Sequence, residues 1–335
     1  MNTNKKNIAS VIICNYNGYK YLNTCLQSLK EQLFKDFEVI LVDNGSNDNS
    51  VEFVKEKFSE IKIISHQKNL GFAEGTNSGI KKAKGKYIIT LNNDTKVDKN
   101  WLKQLVEKAN LDNQVGMCAS HIVYYEFPEF VYSNGIILSK NGCAYNIGSW
   151  QKDTNEKKVK EIFGPCACAA LYKKEMLEGI GLFDEDYFAY YEDTDLAFRA
   201  QLQGWKCLYV PEAIVYHIHG ATSKTFGFNK IKFLVERNKF YTLVKNLPLI
   251  YFIKFLPFMI FYHILLSFYY LFVNKNIPVI KGFLVALWNI KKLLKKRKKI
   301  QKNKKIKNDY LNKYFLAEIQ KYLFFNLFKS KKKFL

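Results

Sequence analysis

The sequence predicts an α/β fold, in which helices cover both faces of a mostly parallel sheet, followed by a helical and strongly basic region. Three observations support this prediction. Short apolar runs alternate with segments of helical periodicity over the first 115 residues, polar and acidic residues directly follow several of these runs, and the charge changes abruptly after Gly220. Repeated β-α units favour a doubly wound sheet that binds ligands at the carboxyl ends of its strands.

Four apolar runs are the predicted strands of the first half, and a predicted helix follows each. Residues 9–14 precede a stripe of apolar side chains at three- and four-residue spacing between Tyr21 and Leu33, which is typical of a helix lying on a sheet. The remaining strands and helices alternate in the order 37–42, 51–58, 61–65, 74–84, 87–91 and a helix carrying Trp101 and Leu105 that we expect Asp98 to cap.

The pattern from residue 115 to residue 220 is less regular and predicts an α+β half. Buried strands are predicted at 115–120 and 165–172, and a helix at 192–203 that ends at Gly204. We therefore expect one domain over residues 1–220, divided at about residue 115, and a separate region over 221–335.

The net charge of +22 lies almost entirely in the second region. Residues 1–220 carry 26 basic and 27 acidic side chains, whereas residues 221–335 carry 26 basic and 3 acidic ones. A hydrophobic content of 48% excludes a disordered chain. The basic region predicts an anionic partner, either a membrane surface or a nucleic acid.

The seven cysteines are odd in number and scattered through apolar runs, which predicts reduced cysteines in an intracellular protein. Residues 1–7 are polar, so we expect no secretory leader.

Three acidic residues lie where the predicted fold would place a site. Asp43 and Asp94 directly follow predicted strands, and Asp193 begins a predicted helix. A carboxylate after a strand can hold a divalent cation against a diphosphate, but it is also a common turn former, and Asp193 could simply cap its helix. Asp195 and Arg199 are spaced as an i,i+4 ion pair.

Five segments in one order over about 200 residues resemble the family 2 glycosyltransferases, which have a GT-A fold. The resemblance is greatest to the branch that includes rhamnosyltransferases of surface-polysaccharide assembly. The segments are Val11-Ile12-Ile13-Cys14-Asn15-Tyr16-Asn17-Gly18; Val42-Asp43-Asn44-Gly45-Ser46-Asn47-Asp48; Asn69-Leu70-Gly71-Phe72-Ala73 with Asn77; Leu91-Asn92-Asn93-Asp94-Thr95; and Tyr191-Glu192-Asp193-Thr194-Asp195-Leu196 with Gly204-Trp205.

The resemblance implies a nucleotide-sugar half at about 1–115 and an acceptor half at about 116–220. Tyr16 would stack on the nucleotide base, and Asp43 would bind the base or the ribose. The other residues that the resemblance assigns to donor binding are Cys14, Asn44, Gly71, Asn77, Asn92 and Asn93.

The resemblance also implies a divalent metal, Mn²⁺ or Mg²⁺, and a catalytic base. Asn92-Asn93-Asp94 matches the Asp-x-Asp metal motif with Asn in the first position, so Asp94 is its one carboxylate, and His217 matches a further ligand position. An imidazole ligand favours Mn²⁺. Asp193 matches the base that takes the proton of an acceptor hydroxyl in an inverting displacement.

We expect residues 221–335 to form a basic, aromatic-rich helical region for membrane association, with residues 245–335 contacting the membrane surface. Residues 255–273 carry no formal charge and are close to the length that crosses a bilayer, so this segment could span the membrane or lie along it. One amphipathic helix is predicted from the stripe Ile280, Phe283, Leu284, Leu287 and Leu294, and a second, shorter one from Leu311, Phe315, Tyr322 and Leu323. The alternative is that these apolar faces pack on the globular domain.

The function expected from these features is transfer of a single sugar from a nucleotide-diphosphate donor to a glycan acceptor, lipid-linked, at the cytoplasmic face of the cell membrane. A processive polysaccharide synthase is one alternative, although the chain has no Arg-Trp dipeptide of the kind those enzymes share. A nucleic-acid-binding protein is another; the apolar 255–273 segment argues against a nucleic-acid partner. A binding protein without activity is a third, because of Asn92.

Overall fold

The computed structural model describes residues 8–218, 227–273, 277–307 and 309–315. Its first four strands are β1 (Ala9–Asn15), β2 (Phe37–Asp43), β3 (Lys62–Ser65) and β4 (Tyr87–Leu91). They are parallel in the order β4-β1-β2-β3, and the register pairs Asn15 with Asp43 at the carboxyl edge. The predicted parallel sheet and its strand positions are confirmed.

Four helices cover this sheet: α1 (Tyr19–Lys30), α2 (Ser50–Lys57), α3 (Gly71–Ile80) and α4 (Trp101–Ala109). Leu22, Leu26 and Trp101 belong to one buried cluster, and Ala73 and Ile80 to a second one, so both faces of the sheet are covered. Asp98 was expected to cap α4, but it does not. Its side chain accepts a hydrogen bond from Asn100 N, and Asn100 is the residue that precedes the helix.

The second half extends the same sheet with antiparallel and parallel neighbours. Strand β11 (Ala169–Lys173) is antiparallel to both β4 and β6 (Val115–Tyr124), and β12 (Lys206–His217) is parallel to β6. Helix α6 (Glu192–Leu202) ends just before Gly204, as predicted. The other elements are β5 (Thr95–Val97), β7 (Val131–Ser133), β8 (Ile136–Leu138), β9 (Ala144–Asn146), β10 (Lys160–Ile162) and α5 (Lys174–Ile180).

The basic region is helical, as expected. Its helices are α7 (Phe228–Asn246), α8 (Leu249–Phe268), which continues in a π-helical turn Tyr269–Val273, α9 (Pro278–Trp288) and α10 (Ile290–Lys302), followed by a 3₁₀ turn Tyr310–Tyr314. The prediction of a single amphipathic helix over 280–294 is wrong, because α9 ends at Trp288 and Leu294 lies on α10. Of the shorter predicted helix, Leu311 and Phe315 lie at the 3₁₀ turn, and Tyr322 and Leu323 lie outside the described residues.

The main core continues past residue 220. Phe163 and Phe198 of the globular domain share one buried cluster with residues of the basic region: Leu243, Leu247, Tyr251, Phe255, Met259, Leu311 and Tyr314. Part of the apolar surface of the basic region therefore packs on the globular domain, which is the alternative left open by the sequence.

Candidate active site

A cavity of about 490 Å³ lies at the carboxyl edge of the sheet, where β1, β2 and β4 end and α6 begins. Its position follows from the topology, since the carboxyl ends of parallel strands form a crevice that binds ligands. Seven of the residues predicted to form a site line this cavity: Cys14, Tyr16, Asn44, Gly71, Asn92, Asn93 and Asp193.

Asn44 connects the end of β2 to the start of α3. Its side-chain amide donates to Gly71 O at 2.9 Å, and its side-chain oxygen accepts from Leu70 N at 3.1 Å. Gly71 has φ +85°, and a Cβ there would lie 2.4 Å from Phe188 O. Only glycine fits there, so the loop that carries Phe188 can approach the part of the cavity lined by Asn44 and Gly71.

Asp43, the residue before Asn44, is buried and does not line the cavity. Its carboxylate accepts hydrogen bonds from Asn15 Nδ2 at 3.3 Å and Ser46 N at 3.2 Å, and Asn15 Oδ1 accepts from Asn93 Nδ2 at 2.7 Å. The polar ends of β1, β2 and β4 thus form one network. Burial raises the pKa of the Cys14 thiol to about 12, so this cysteine is a neutral part of the wall.

Asn77 also lies outside the cavity. Its side-chain amide donates to Phe183 O at 2.8 Å and to Glu185 Oε1 at 3.1 Å, and its oxygen accepts from Phe183 N at 3.1 Å. These contacts use both ends of a buried amide, so Asn77 holds α3 against the 183–185 segment.

Asp94 and His217 face each other next to the cavity. His217 Nε2 is 3.3 Å from Asp94 Oδ1, and both side chains are buried. Neither lines the cavity, but Tyr132, which does, contacts the His217 ring with centroids 4.5 Å apart. Asp94 Oδ1 is a buried oxygen that accepts no hydrogen bond within the described residues. A carboxylate oxygen without a donor, facing an imidazole, fits a divalent cation.

These two side chains cannot hold a metal ion by themselves. In the part of the chain that the structure describes, no group of three or more His, Cys, Asp or Glu side chains could form a metal site. The remaining ligands would have to come from water or from a bound donor.

Asp193 is the second residue of α6, and its carboxylate reaches the cavity. It does not cap the helix, because Tyr191 occupies that position with φ +70°. Its oxygens accept hydrogen bonds from Thr194 N at 2.6 Å and Ala167 N at 3.2 Å. Burial raises the pKa of Asp193, and these hydrogen bonds oppose that rise without cancelling it. A partly buried carboxylate with a raised pKa is suited to accept a proton.

The neighbouring acidic residues have different surroundings. Burial, together with the charge of Asp193, raises the pKa of Glu192 well above its usual value. Asp195 forms the predicted ion pair with Arg199 Nε at 2.9 Å, and it also contacts Lys245 Nζ at 2.6 Å and Asn246 Nδ2 at 2.7 Å. Asp195 is therefore a structural residue that ties α6 to α7.

The sequence did not indicate the aromatic residues that line the cavity. Tyr132, Tyr145 and Trp150 line the cavity together with Tyr190 and Tyr191. The Trp150 ring stacks on Tyr124 with centroids 4.0 Å apart and remains 40% exposed. These residues come from short, irregular segments without a periodic pattern, so only their aromatic composition could have been noticed. Val235 of α7 also lines the cavity, although its region was expected only to contact a membrane.

Comparisons by sequence and by structure both relate this chain to glycosyltransferases. The family model described as Glycosyl transferase family 2 matches residues 10–181, just over half of the chain. A cholesterol galactosyltransferase from Borreliella burgdorferi is 36% identical over 119 residues, which are 35% of this chain and 33% of that protein. An uncharacterized glycosyltransferase from Haemophilus influenzae is 27% identical over 228 residues, 64% of this chain and 66% of that protein.

The matches to these two curated relatives thus span between about a third and two thirds of their length. Among solved structures, a mannosyltransferase from Pyrobaculum calidifontis in complex with GDP-Man and Mn²⁺ has a TM-score of 0.51 at 16% identity, over 91% of this chain and 85% of that chain. This likeness confirms the predicted fold class.

Proposed function

The chain belongs to glycosyltransferase family 2, and on that premise we propose that it transfers a single sugar from a nucleotide-diphosphate donor to a hydroxyl of a glycan acceptor, with inversion at the anomeric carbon. The observation that carries this proposal is the position of Asp193, a carboxylate with a raised pKa facing a cavity lined by the motif residues of three strand ends.

In the proposed reaction, Asp193 takes the proton of the acceptor hydroxyl while that oxygen attacks the anomeric carbon. The new carbon–oxygen bond forms as the bond between the sugar and the diphosphate breaks, and its electron pair leaves with the nucleoside diphosphate. A single displacement of this kind inverts the anomeric carbon. The hydrogen bonds to Thr194 and Ala167 hold the Asp193 carboxylate in one orientation.

The donor would occupy the side of the cavity formed by Cys14, Tyr16, Asn44 and Gly71, with the Tyr16 ring stacked on the base. Asn92 and Asn93 would face the diphosphate and sugar. Asp43 and Asn77 lie outside the cavity, so we propose that they support donor binding by holding Asn15 and the 183–185 segment.

We propose that Asp94 and His217 would hold a Mn²⁺ or Mg²⁺ ion that the donor diphosphate shares. When bound, such an ion stabilises the negative charge of a departing diphosphate. The orphaned Asp94 oxygen supports this role, and the neighbour of known structure that holds Mn²⁺ has the same fold. Asn92 supplies no carboxylate, which is consistent with an ion retained largely by the donor.

We also propose that the enzyme lies on the cytoplasmic face of a membrane and acts on a lipid-linked glycan. Leu249–Val273 is a 25-residue apolar helix, long enough to cross a bilayer. One side of α8 packs on the protein core through Tyr251, Phe255 and Met259. The opposite side is exposed, which supports a helix lying in the interface. The exposed residues are Leu249, Ile250, Ile253, Leu256, Phe258, Ile260, Phe261, Ile264, Leu265 and Phe268.

The test is a panel of nucleotide sugars with Mn²⁺ or Mg²⁺ and extracted lipid acceptors, scored by release of nucleoside diphosphate. Asp193→Asn should fold normally and lose about 10²–10⁴-fold of the activity, because the amide cannot accept the proton. Glu192→Gln is the matched comparison: Glu192 is the adjacent residue, it also lines the cavity, and its raised pKa favours the uncharged form that an amide resembles. Its loss should stay below about tenfold, because the proposed mechanism gives it no proton to accept. Near-normal turnover of Asp193→Asn, or a larger loss in Glu192→Gln, would contradict the assignment of the base.

A further inference from the structure

The loop that leads into the proposed base has an unfavourable backbone. Phe188, Tyr190 and Tyr191 all have positive φ, at 64°, 71° and 70°. Side chains with a Cβ avoid this region, at a cost of about 1–2 kcal/mol for each residue. Tyr191 is the residue that directly precedes α6, so this backbone determines the direction in which Asp193, two residues later, enters the cavity.

One side chain of α7 binds the carbonyl groups of this loop. The Asn238 amide nitrogen donates to Tyr187 O at 2.9 Å, Ala189 O at 2.8 Å and Tyr190 O at 2.7 Å. Asn238 is completely buried. Its side-chain oxygen accepts from Arg237 Nε at 2.9 Å, which orients the amide with its hydrogens toward the carbonyls.

Other residues on the same part of α7 reinforce this contact. One terminal nitrogen of Arg237 donates to Asp186 O and to Tyr187 O, both at 3.0 Å. The hydroxyl of Thr242 lies 2.8 Å from that of Tyr187. The loop is thus fixed by hydrogen bonds from a helix that is distant in sequence, whereas its own dihedral angles disfavour its conformation.

We infer that Asn238 is a positioning residue of the transferase: it holds the strained 187–191 loop in the conformation that directs the Asp193 carboxylate into the cavity. This inference rests on the proposed function of Asp193. It makes α7 part of the catalytic unit, and Val235, one turn before Asn238, accordingly lines the cavity.

The decisive variant is Asn238→Asp in the full-length protein. It keeps the shape of the side chain, removes both amide hydrogens and places carboxylate oxygens against three carbonyl oxygens. We expect kcat to fall about 10–100-fold, because a small displacement of a catalytic group has an effect of this size. The donor KM should change by less than about threefold, because Tyr16 and Asn44 lie on other elements.

Gln32→Glu is the matched control. Gln32 is also completely buried, and its amide donates to Asp98 O at 2.7 Å and Ser28 O at 3.2 Å; none of these three residues lines the cavity. Gln32→Glu should lower the midpoint temperature of unfolding, as Asn238→Asp does. Its kcat should stay within about twofold of the native value when both variants are assayed well below their midpoint temperatures.

An unchanged kcat in Asn238→Asp, or equal losses in both variants, would overturn the inference. If Asn238→Asp does not fold, Arg237→Met serves instead: it removes the contacts to Asp186 and Tyr187, and a selective fall in kcat is again expected, whereas normal kcat would count against the inference. If the native chain releases no nucleoside diphosphate from any donor, the proposed function itself has failed, before the variants are compared.

Discussion

Helices α7 and α8 are consecutive in the chain, yet they reverse the usual relation between polarity and burial. Buried residues of α7 include Glu236, Asn238, Lys239, Lys245 and Asn246. Along α8, by contrast, most of the large apolar side chains are exposed. Burying charges and exposing apolar surface both cost free energy in water. The partner of α7 is the 187–191 loop, to which Asn238 and Arg237 donate hydrogen bonds. For α8, we propose that the partner is a lipid surface.

On this proposal, the basic side chains of residues 221–335 divide into those that contact the globular domain and those available to a membrane. On α7, Lys245 pairs with the carboxylates of Asp184 and Asp195. Arg237 of the same helix donates to the backbone carbonyls of Asp186 and Tyr187. On α10, Lys292 and Lys296 pair with Asp184 and Asp186, but Lys291, Lys295, Lys298 and Lys299 remain exposed. Only the exposed lysines can contribute to binding an anionic membrane.

The largest expected effect comes from removing the charge of Lys245. Its ammonium group is almost fully buried between Asp184 at 2.5 Å and Asp195 at 2.6 Å. Lys245→Met should lower the free energy of unfolding by about 3–5 kcal/mol, because it leaves buried carboxylates without their partner. Urea denaturation followed by circular dichroism measures this change.

Lys254→Met is the corresponding control on α8, where the lysine is exposed. It should leave the urea midpoint nearly unchanged, since substitutions at an exposed lysine have small effects. Equal shifts in the two variants would show that the buried charges of α7 are not what stabilises its contact with the domain.

Much of the fold could be predicted from local patterns, but the contribution of α7 could not. The strands at 9–14, 37–42 and 87–91 follow from short apolar runs, and their polar carboxyl ends indicate the cavity. The burial of Lys245 depends on Asp195, fifty residues away, and Asn238 recognises backbone carbonyls that have no sequence signature. Composition therefore assigned these residues to a membrane region, because charge alone does not reveal which lysines face a carboxylate.

The next largest effect concerns the exposed face of α8. Phe261→Ser combined with Phe268→Ser removes two exposed rings on one side of the helix. Binding to phosphatidylcholine vesicles containing phosphatidylserine should weaken at least about tenfold, since each buried aromatic side chain contributes about 1.5–3 kcal/mol. Flotation of the full-length protein measures the bound fraction, and omitting phosphatidylserine or adding salt should also reduce it.

Leu33→Ser combined with Leu111→Ser is the matched control for flotation. Both leucines are apolar residues of the globular domain, and their exposed fractions are 59% and 67%. This pair should leave vesicle binding unchanged. A native protein that remains in solution with anionic vesicles at low salt would contradict the membrane role of α8.

The smallest effect concerns the pH dependence of the ion pairs between α10 and the carboxylates of Asp184 and Asp186. Burial raises the pKa of Asp184, but Lys245 and Lys296 overcome that effect, so the pKa lies well below its usual value. The pKa of Asp186 is also lowered, since Lys292 and Lys296 outweigh its burial. A carboxyl with a depressed pKa in the folded state contributes stability above its unfolded pKa of about 3.9, and that stability is lost as the pH falls through the folded value.

Lys296→Met tests whether these pairs stabilise the protein. At pH 7 the variant should be less stable by about 1 kcal/mol, because the lysine is partly exposed and solvent weakens the pairs. The difference from the native chain should shrink as the pH falls from about 4 through the lowered folded-state pKa values of Asp184 and Asp186, because their protonation removes the partners of Lys296. Lys295→Met, exposed on the same helix, should show no such pH-dependent difference. A difference for Lys296→Met that persists at low pH would instead attribute its effect to packing of the lysine stem, and α10 would then contact the loop by shape rather than by charge.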